Sequence, residues 1–321
     1  MSDWRPGASI ETQRERALYL DRVRSFFRKR GVWEVETPSL AAFPAMELHS
    51  ESIPTNAHSH REPRYLITSP EYHMKRLLAA GSGSIYQICK AFRQDETGRW
   101  HNPEFTMIEW YRVGWDQWQL MDEIDELLNE LLRCRPADRR SYREVFAHYL
   151  EIDPFAITRE TFLAACARIG CTPPKPLLAS SGSADDWLDY LMAIHIEERL
   201  GEEKPLFVYD YPASQANLAK IHPDDPNISK RFEIFYRGLE LGNGFEELTD
   251  VGQQKRRFEN TNEIRKKLGK TELKEDFRLS AALDAGLPEC SGIAMGFDRL
   301  LMLATGKRHI GEVISFCWDR C

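Results

Sequence analysis

Apolar positions recur along this chain with two periods, and the changes of period mark its elements. Over residues 10–30, Leu20, Val23, Phe26 and Phe27 fall on one side of a 3.6-residue helix, while Arg14, Arg22, Arg24 and Arg28 lie mostly elsewhere. Gly31 suits the helix stop, and 32–37 reads as a short strand ended by Pro38. A second helix opens at Ser69-Pro70-Glu71: a serine to cap, a proline for the first helical position, an acid for the first turn. Met74, Leu77 and Leu78 supply its apolar stripe, and Gly81 ends it. Two strands, 85–93 and 104–112, then enclose a polar loop over 94–103, too long for a tight hairpin but suited to binding.

From about 116 to 205 the pattern is mainly helical, with a periodic stretch at 120–132 that is acidic outside and another helix at about 185–200. Ser180-Ser181-Gly182-Ser183 marks a break between them. This region reads as a helical insertion in a single domain covering 1–321. Strand-like segments return at 206–209 and 232–241, helical periodicity at 251–268 and 276–285, then a strand at 292–297 and a helix at 298–305 with Gly306 as its stop. Strands and helices do not alternate regularly. The expected class is therefore α+β with an antiparallel sheet flanked by helices, not a doubly wound parallel sheet.

The balance of 43 Lys and Arg against 50 Asp and Glu leaves a net charge of −7, without the basic excess typical of nucleic-acid binding. The local runs Lys255-Arg256-Arg257 and Arg265-Lys266-Lys267 read as a solvated helix face. Seven cysteines, an odd number with no C-x-x-C pair, suggest neither a disulfide framework nor a zinc site, and fit reduced thiols in the cytoplasm. The first residues lack the apolar core of a signal peptide, and no apolar run approaches membrane-spanning length.

Candidate chemistry gathers around the 94–103 loop. Alternation sets Phe105, Met107, Glu109 and Tyr111 on one face of their strand and Thr106, Ile108 and Trp110 on the other. A ring, a carboxylate and a phenol on one face point to a site; the alternative is a solvated face with a salt bridge. Arg93 closes the preceding strand with a planar fork suited to phosphate, or else pairs on the surface with Asp95 or Glu96. Glu240 and Glu247 flank Leu241-Gly242-Asn243-Gly244; a turn there would fold the chain back and let the two carboxylates converge on Mg²⁺, whereas an exposed hairpin tip would hold them apart. In Gly292-Ile293-Ala294-Met295-Gly296-Phe297-Asp298-Arg299, glycines permit close approach of a ligand, Asp298 is placed to cap the next helix, and Arg299 sits in its first turn. The spacing is neither a Rossmann fingerprint nor a P-loop, and tight strand–helix packing is the plainer reading of it.

Taken in order, these segments resemble the three signature motifs of class II aminoacyl-tRNA synthetases. The first is the helix and strand ending in Pro38. The second is Phe92-Arg93-Gln94-Asp95, the loop, and the run from His101-Asn102-Pro103-Glu104-Phe105 through Glu109-Trp110-Tyr111. The third is Gly296-Phe297-Asp298-Arg299-Leu300. Between them stand Ser69-Pro70-Glu71 and Glu240-Leu241-Gly242-Asn243-Gly244-Phe245-Glu246-Glu247-Leu248. The resemblance covers nearly the whole chain and is nearest to the catalytic domain of lysyl-tRNA synthetases. The first motif's helix begins at about residue 10, which leaves no room for their anticodon-reading OB-fold. That combination is similar to the elongation factor P–(R)-β-lysine ligase family.

The resemblance implies ATP and Mg²⁺ as cofactors, and lysine or β-lysine as substrate. The acceptor it implies is elongation factor P, not tRNA. It also implies a homodimer. It places Arg93 on the α-phosphate and the substrate carboxylate, and Arg299 with Phe105 around the adenine. Gln94, Asp95, Asn102, Glu240, Leu241 and Gly296 join the nucleotide site. Ser69, Pro70, Glu71, Glu109, Tyr111 and Glu247 would form the amino-acid pocket, and Glu240 and Glu247 would hold the metal. Asp95 stands where the class has Glu, with Glu96 beside it. Ala294 replaces a Gly of lysyl-tRNA synthetases and reshapes the pocket floor toward a β-amino acid. Gln253 stands where related enzymes place an acid. A truncated lysyl-tRNA synthetase, an ammonia-using ligase of the same fold and a non-catalytic amino-acid sensor are the rivals.

Overall fold

The computed structural model describes residues 4–48, 50–56, 62–178 and 183–321. By internal contacts the chain forms two compact units, Met1–Arg133 with Glu247–Cys321, and Cys134–Glu246.

The first unit opens with α1 (Ile10–Lys29), capped by Ser9, whose hydroxyl accepts from Thr12 N–H. Its buried Phe27 stacks on Tyr86 at 4.4 Å between ring centres and meets the edge of Trp110. The unit's main strands are β1 (Trp33–Glu34), β5 (Ile85–Phe92), β6 (Glu104–Val113) and β11 (Cys290–Gly296), paired in that order; a small second sheet joins β2 (Leu40–Ala41), β4 (Arg64–Leu66) and β3 (Pro54–Thr55). β5, β6 and β11 are antiparallel, as expected, but β1 pairs with β5 in parallel, so the sheet is mixed at its edge. The expected strand over 32–37 is also shorter, since only its first part finds a partner.

Helices α2 (Glu71–Ala79), α3 (Gln117–Leu132), α8 (Val251–Lys267), α9 (Phe277–Gly286) and α10 (Phe297–Thr305) complete the unit. α3 packs the opposite side of β6 from the site, where buried Glu123 accepts from Trp110 Nε1 and lies 3.5 Å from Arg112. Met74 and Leu78 of α2 share a core with Ile85, Tyr111, and Leu279 and Leu283 of α9. Arg265 corrects the reading of α8's basic run as solvated. Its side chain is 2% exposed, donates to both Glu51 oxygens at 3.0 Å, and donates to the Glu47 carbonyl as well.

Asp298 does not cap α10, as expected of it. The cap position is Gly296, and Asp298 instead accepts from Arg16 Nη1 at 2.6 Å and from Thr106 N–H at 2.7 Å. A carboxylate offered a guanidinium by α1 and a backbone N–H by β6 gains more than it would from the neutral N–H groups of its own helix, because in the pair with Arg16 both donor and acceptor are charged.

The second unit pairs β10 (Leu239–Glu246), β9 (Ile228–Tyr236), β8 (Leu206–Pro212) and β7 (Asp138–Ser141) in that order, the last pair parallel. Helices α4 (Tyr142–Leu150), α5 (Arg159–Arg168), α6 (Lys175–Leu178) and α7 (Ala184–Leu191) lie in this unit, and α4, α5 and α7 pack a core with Leu206, Val208 and Phe235. α7 runs on through a wider turn, Met192–Ile196. Of the expected break near 180, residues 180–182 lie outside the described residues. The strand expected over 232–241 is two strands, and the chain reverses at Arg237-Gly238, both left-handed. That pairing suits a primed turn, which matches the strand twist. Gly242-Asn243-Gly244 is therefore not the turn it was expected to be. It continues β10, with a bulge between Glu240 and Gly242.

Candidate active site

Strand register builds one face of the first unit's sheet in rows. Gln87, Glu109 and Ala294 stand side by side across β5, β6 and β11, and Ile85, Tyr111 and Gly292 form the adjacent row. Glu109 is 1% and Tyr111 3% exposed, which rules out the solvated-face alternative. Tyr111 donates its hydroxyl to Glu109 Oε1 at 2.7 Å, and Ser69 donates to Oε2 at 2.6 Å. The backbone of Gly292 must pass close to these groups: a Cβ there would overlap the Tyr111 ring and stand 2.9 Å from Glu247 Oε1.

The start of α2 forms the wall of this pocket. Pro70, not Ser69, occupies the cap position, and the Ser69 hydroxyl accepts from Glu71 N–H at 3.0 Å while donating to Glu109. One helical turn on, Lys75 is buried. Its ammonium lies 2.6 Å from Glu71 Oε1 and 2.6 Å from Glu247 Oε2, with Glu247 itself fully buried. Burial opposes the charge on Lys75, but Glu247 and Glu71 outweigh it and raise its pKa. Ser69, Glu71, Glu109, Tyr111 and Glu247 thus come together as predicted, around a lysine that was not.

Along the same face, toward the loop, Arg93 stands with its guanidinium 5.2 Å from the Phe105 ring centre and 3.8 Å from Glu96, one of the two acids offered by the surface-pair alternative. Its Nε is buried and lacks a hydrogen-bond partner, which fits an anion not yet counted. Gln94 donates weakly to Asp95, whose backbone is left-handed. Asn102 is committed within the protein: its amide nitrogen donates to Glu104 O and its oxygen accepts from Trp318 N–H. Gly296 ends β11 opposite Met107, and Arg299, in the first turn of α10, lies 2.5 Å from His101 Nε2. These residues all belong to the first unit. Glu240 and Leu241 belong to the second, where Glu240 adds to the field that raises the pKa of Glu233, whose main cause is burial, and Arg231 donates to Glu233. Among the described residues, no group of three or more His, Cys, Asp or Glu is placed to hold a metal.

A family model described as tRNA synthetases class II (D, K and N) matches residues 3–320. The chain belongs to that family. It is 46% identical over 319 residues to a protein of Vibrio vulnificus named elongation factor P–(R)-beta-lysine ligase, covering 98% of both chains. Proteins of the same name from Vibrio cholerae and Salmonella arizonae are 46% and 44% identical, each over 99% of this chain.

Burial pushes the Glu109 carboxyl up to about 8, and the neighbouring Glu71 adds to the shift. Between the ordinary carboxylate range and pH 8 the folded state therefore holds a proton that the unfolded state has lost, so stability falls as pH rises through that window. A cation bound beside Glu109 favours its ionised form, so binding below pH 8 releases a proton. We expect calorimetric titration with lysine to show proton release that depends on the buffer's ionisation enthalpy, and Glu109→Gln to abolish it. Equal heats in both buffers for the wild type would contradict the assignment.

Sequence reading missed two pocket residues. Lys75 carries only a weak signal, the four-residue spacing from Glu71 on one helix. Gln87 interrupts the apolar run Ile85-Tyr86-Gln87-Ile88, but its place beside Glu109 depends on a register that the strands alone do not reveal.

Proposed function

We propose that this protein activates (R)-β-lysine, or lysine, with ATP as an acyl-adenylate and transfers it to a lysine side chain of elongation factor P. The observation that carries the reading is the pocket: Lys75 is shared by Glu71 and Glu247, while Glu109 beside them has only the neutral donors Ser69 and Tyr111, so the ammonium of a diamino acid would supply the charge that lets Glu109 ionise. Its relatives' names supply the acceptor.

On this reading Glu109, Tyr111, Ser69 and Glu71 receive the substrate's amino groups, with Pro70 fixing the start of their helix. Arg93 orients the substrate carboxylate toward the α-phosphate and stabilises the charge that develops between them. Phe105 and Arg299 flank the adenine, with Gln94, Asp95, Asn102 and Gly296 around it. Glu240 and Leu241, in the second unit, keep their nucleotide roles on the resemblance alone. ATP, when bound, supplies the AMP group that makes the carboxylate reactive. Glu240 fits a Mg²⁺ ligand in type, since such ions take one or two carboxylates and share phosphate oxygens. Glu247 fits less well, because its carboxylate already meets Lys75 at 2.6 Å; it belongs with the amino-acid pocket. The chain is read as one catalytic domain with a mainly helical insertion at about 116–205, working as a cytoplasmic homodimer. Its seven cysteines, read as reduced thiols, agree with that setting.

Incubating purified elongation factor P with this protein, ATP and each lysine isomer, followed by mass spectrometry, tests the proposal. We expect one added lysyl group, most readily from (R)-β-lysine. Unmodified factor in every tube, or acylated tRNA in a parallel reaction, would overturn it.

A further inference from the structure

Gln87 is 2% exposed and sits in the middle of β5, directly across from Glu109 and in line with Ala294. Its side-chain oxygen is buried and accepts no hydrogen bond. The amide lies within hydrogen-bonding reach of Cys89, two residues along the same face, whose thiol burial and then Glu109 push up to about 12. The side chain is thus held at one end and left with an idle acceptor at the other. A buried carbonyl without a donor is costly, and native proteins seldom keep one without a use.

The neighbours say what the use is. Protons reach Glu109 from Ser69 and Tyr111, and Lys75 serves Glu71 and Glu247; none of these donors turns to Gln87. An ammonium seated against Glu109 brings three donors, more than the carboxylate alone takes. We propose that Gln87 is a further substrate-binding residue, whose side-chain carbonyl accepts a hydrogen bond from the ammonium held by Glu109. The amide adds an acceptor without adding a fourth negative charge to a pocket already crowded with carboxylates. Standing in one row with Ala294, it also contributes to the shape of the floor that separates lysine isomers. The proposal rests on the diamino-acid reading above.

The test is calorimetric binding of L-lysine and (R)-β-lysine to the wild type, Gln87→Met and Gln87→Glu, with ATP binding and thermal midpoints measured alongside. Methionine keeps length and removes the acceptor. We expect it to weaken binding of the preferred isomer about ten- to a hundredfold, as for a hydrogen bond to a charged group. ATP affinity should be unchanged, and the midpoint unchanged or raised, since an orphaned acceptor has gone. Glutamate keeps an acceptor but adds the fourth carboxylate, so it should bind the preferred isomer more tightly than methionine does while lowering the thermal midpoint. A purely structural role would instead lower midpoint and affinity together in the methionine variant. That result, or affinity within twofold of wild type, would overturn the proposal. Wild-type protein that binds neither isomer would overturn it together with the diamino-acid reading. Wild-type protein that binds an isomer but leaves elongation factor P unmodified would sink the proposed reaction and leave Gln87 to be judged on its own affinities.

Discussion

Lys75→Met is expected to cost this protein about 3–5 kcal/mol of stability, the usual penalty for breaking a buried ion pair and stranding its partner. Lys75 meets Glu71 and Glu247 at 2.6 Å each, and its side chain is 2% exposed. Removing it leaves Glu247 fully buried with its counter-ion gone, in a pocket where Glu109 has already been driven toward its neutral form. The loss should appear as a thermal midpoint lower by on the order of ten degrees. Arginine should not rescue it, because a planar fork does not fit where a compact ammonium meets two carboxylates from different elements.

Two further measurements separate charge from packing. Lys75→Met with Glu247→Gln should recover a large part of the loss, with a coupling of at least about 1 kcal/mol, as expected for residues in one network. Saturating lysine should raise the midpoint of Lys75→Met by more than it raises the wild type's, because the ligand supplies the missing positive charge. A single variant within about 0.5 kcal/mol of wild type, the range of ordinary surface substitutions, would show that the bridge does not form.

The same pocket shows which features a sequence discloses. Period-two alternation separated Glu109 and Tyr111 from Trp110 correctly, because a strand's side chains have only two sides to choose from. The paired strands around 94–103 and the helix after Ser69 were equally plain. Failures came where a third element decided the outcome. Asp298 was read as a cap from its own helix, yet Arg16, far away in sequence, competes for it and wins. Gly242-Asn243-Gly244 has turn composition, but the turn went to Arg237-Gly238, where two left-handed residues match the twist of β9 and β10. Arg265 was taken for a surface charge and Lys75 was not singled out at all, yet both are buried against carboxylates from other segments. Charge composition carries no information about partners that only folding brings near.

Arg93→Ala should do the reverse of Lys75→Met: leave the fold intact and remove the chemistry. Its ion pair with Glu96 is long, 3.8 Å, with both side chains about a third exposed, a geometry worth at most about 1 kcal/mol. The stacking on Phe105, at 5.2 Å, adds little more. The midpoint should therefore move by only a degree or two. On the proposed function the guanidinium serves the reaction instead, and its buried Nε has no protein acceptor. A preorganised cation aimed at developing charge is worth about a hundred- to a thousandfold in rate, so ATP–pyrophosphate exchange with lysine isomers should fall by at least that factor. Lysine in its place should restore little, since a point charge cannot grip carboxylate and phosphate oxygens in one plane. Exchange retained within tenfold by Arg93→Ala would mean that the transition-state charge is met elsewhere, and the site would have to be rebuilt around a different cation.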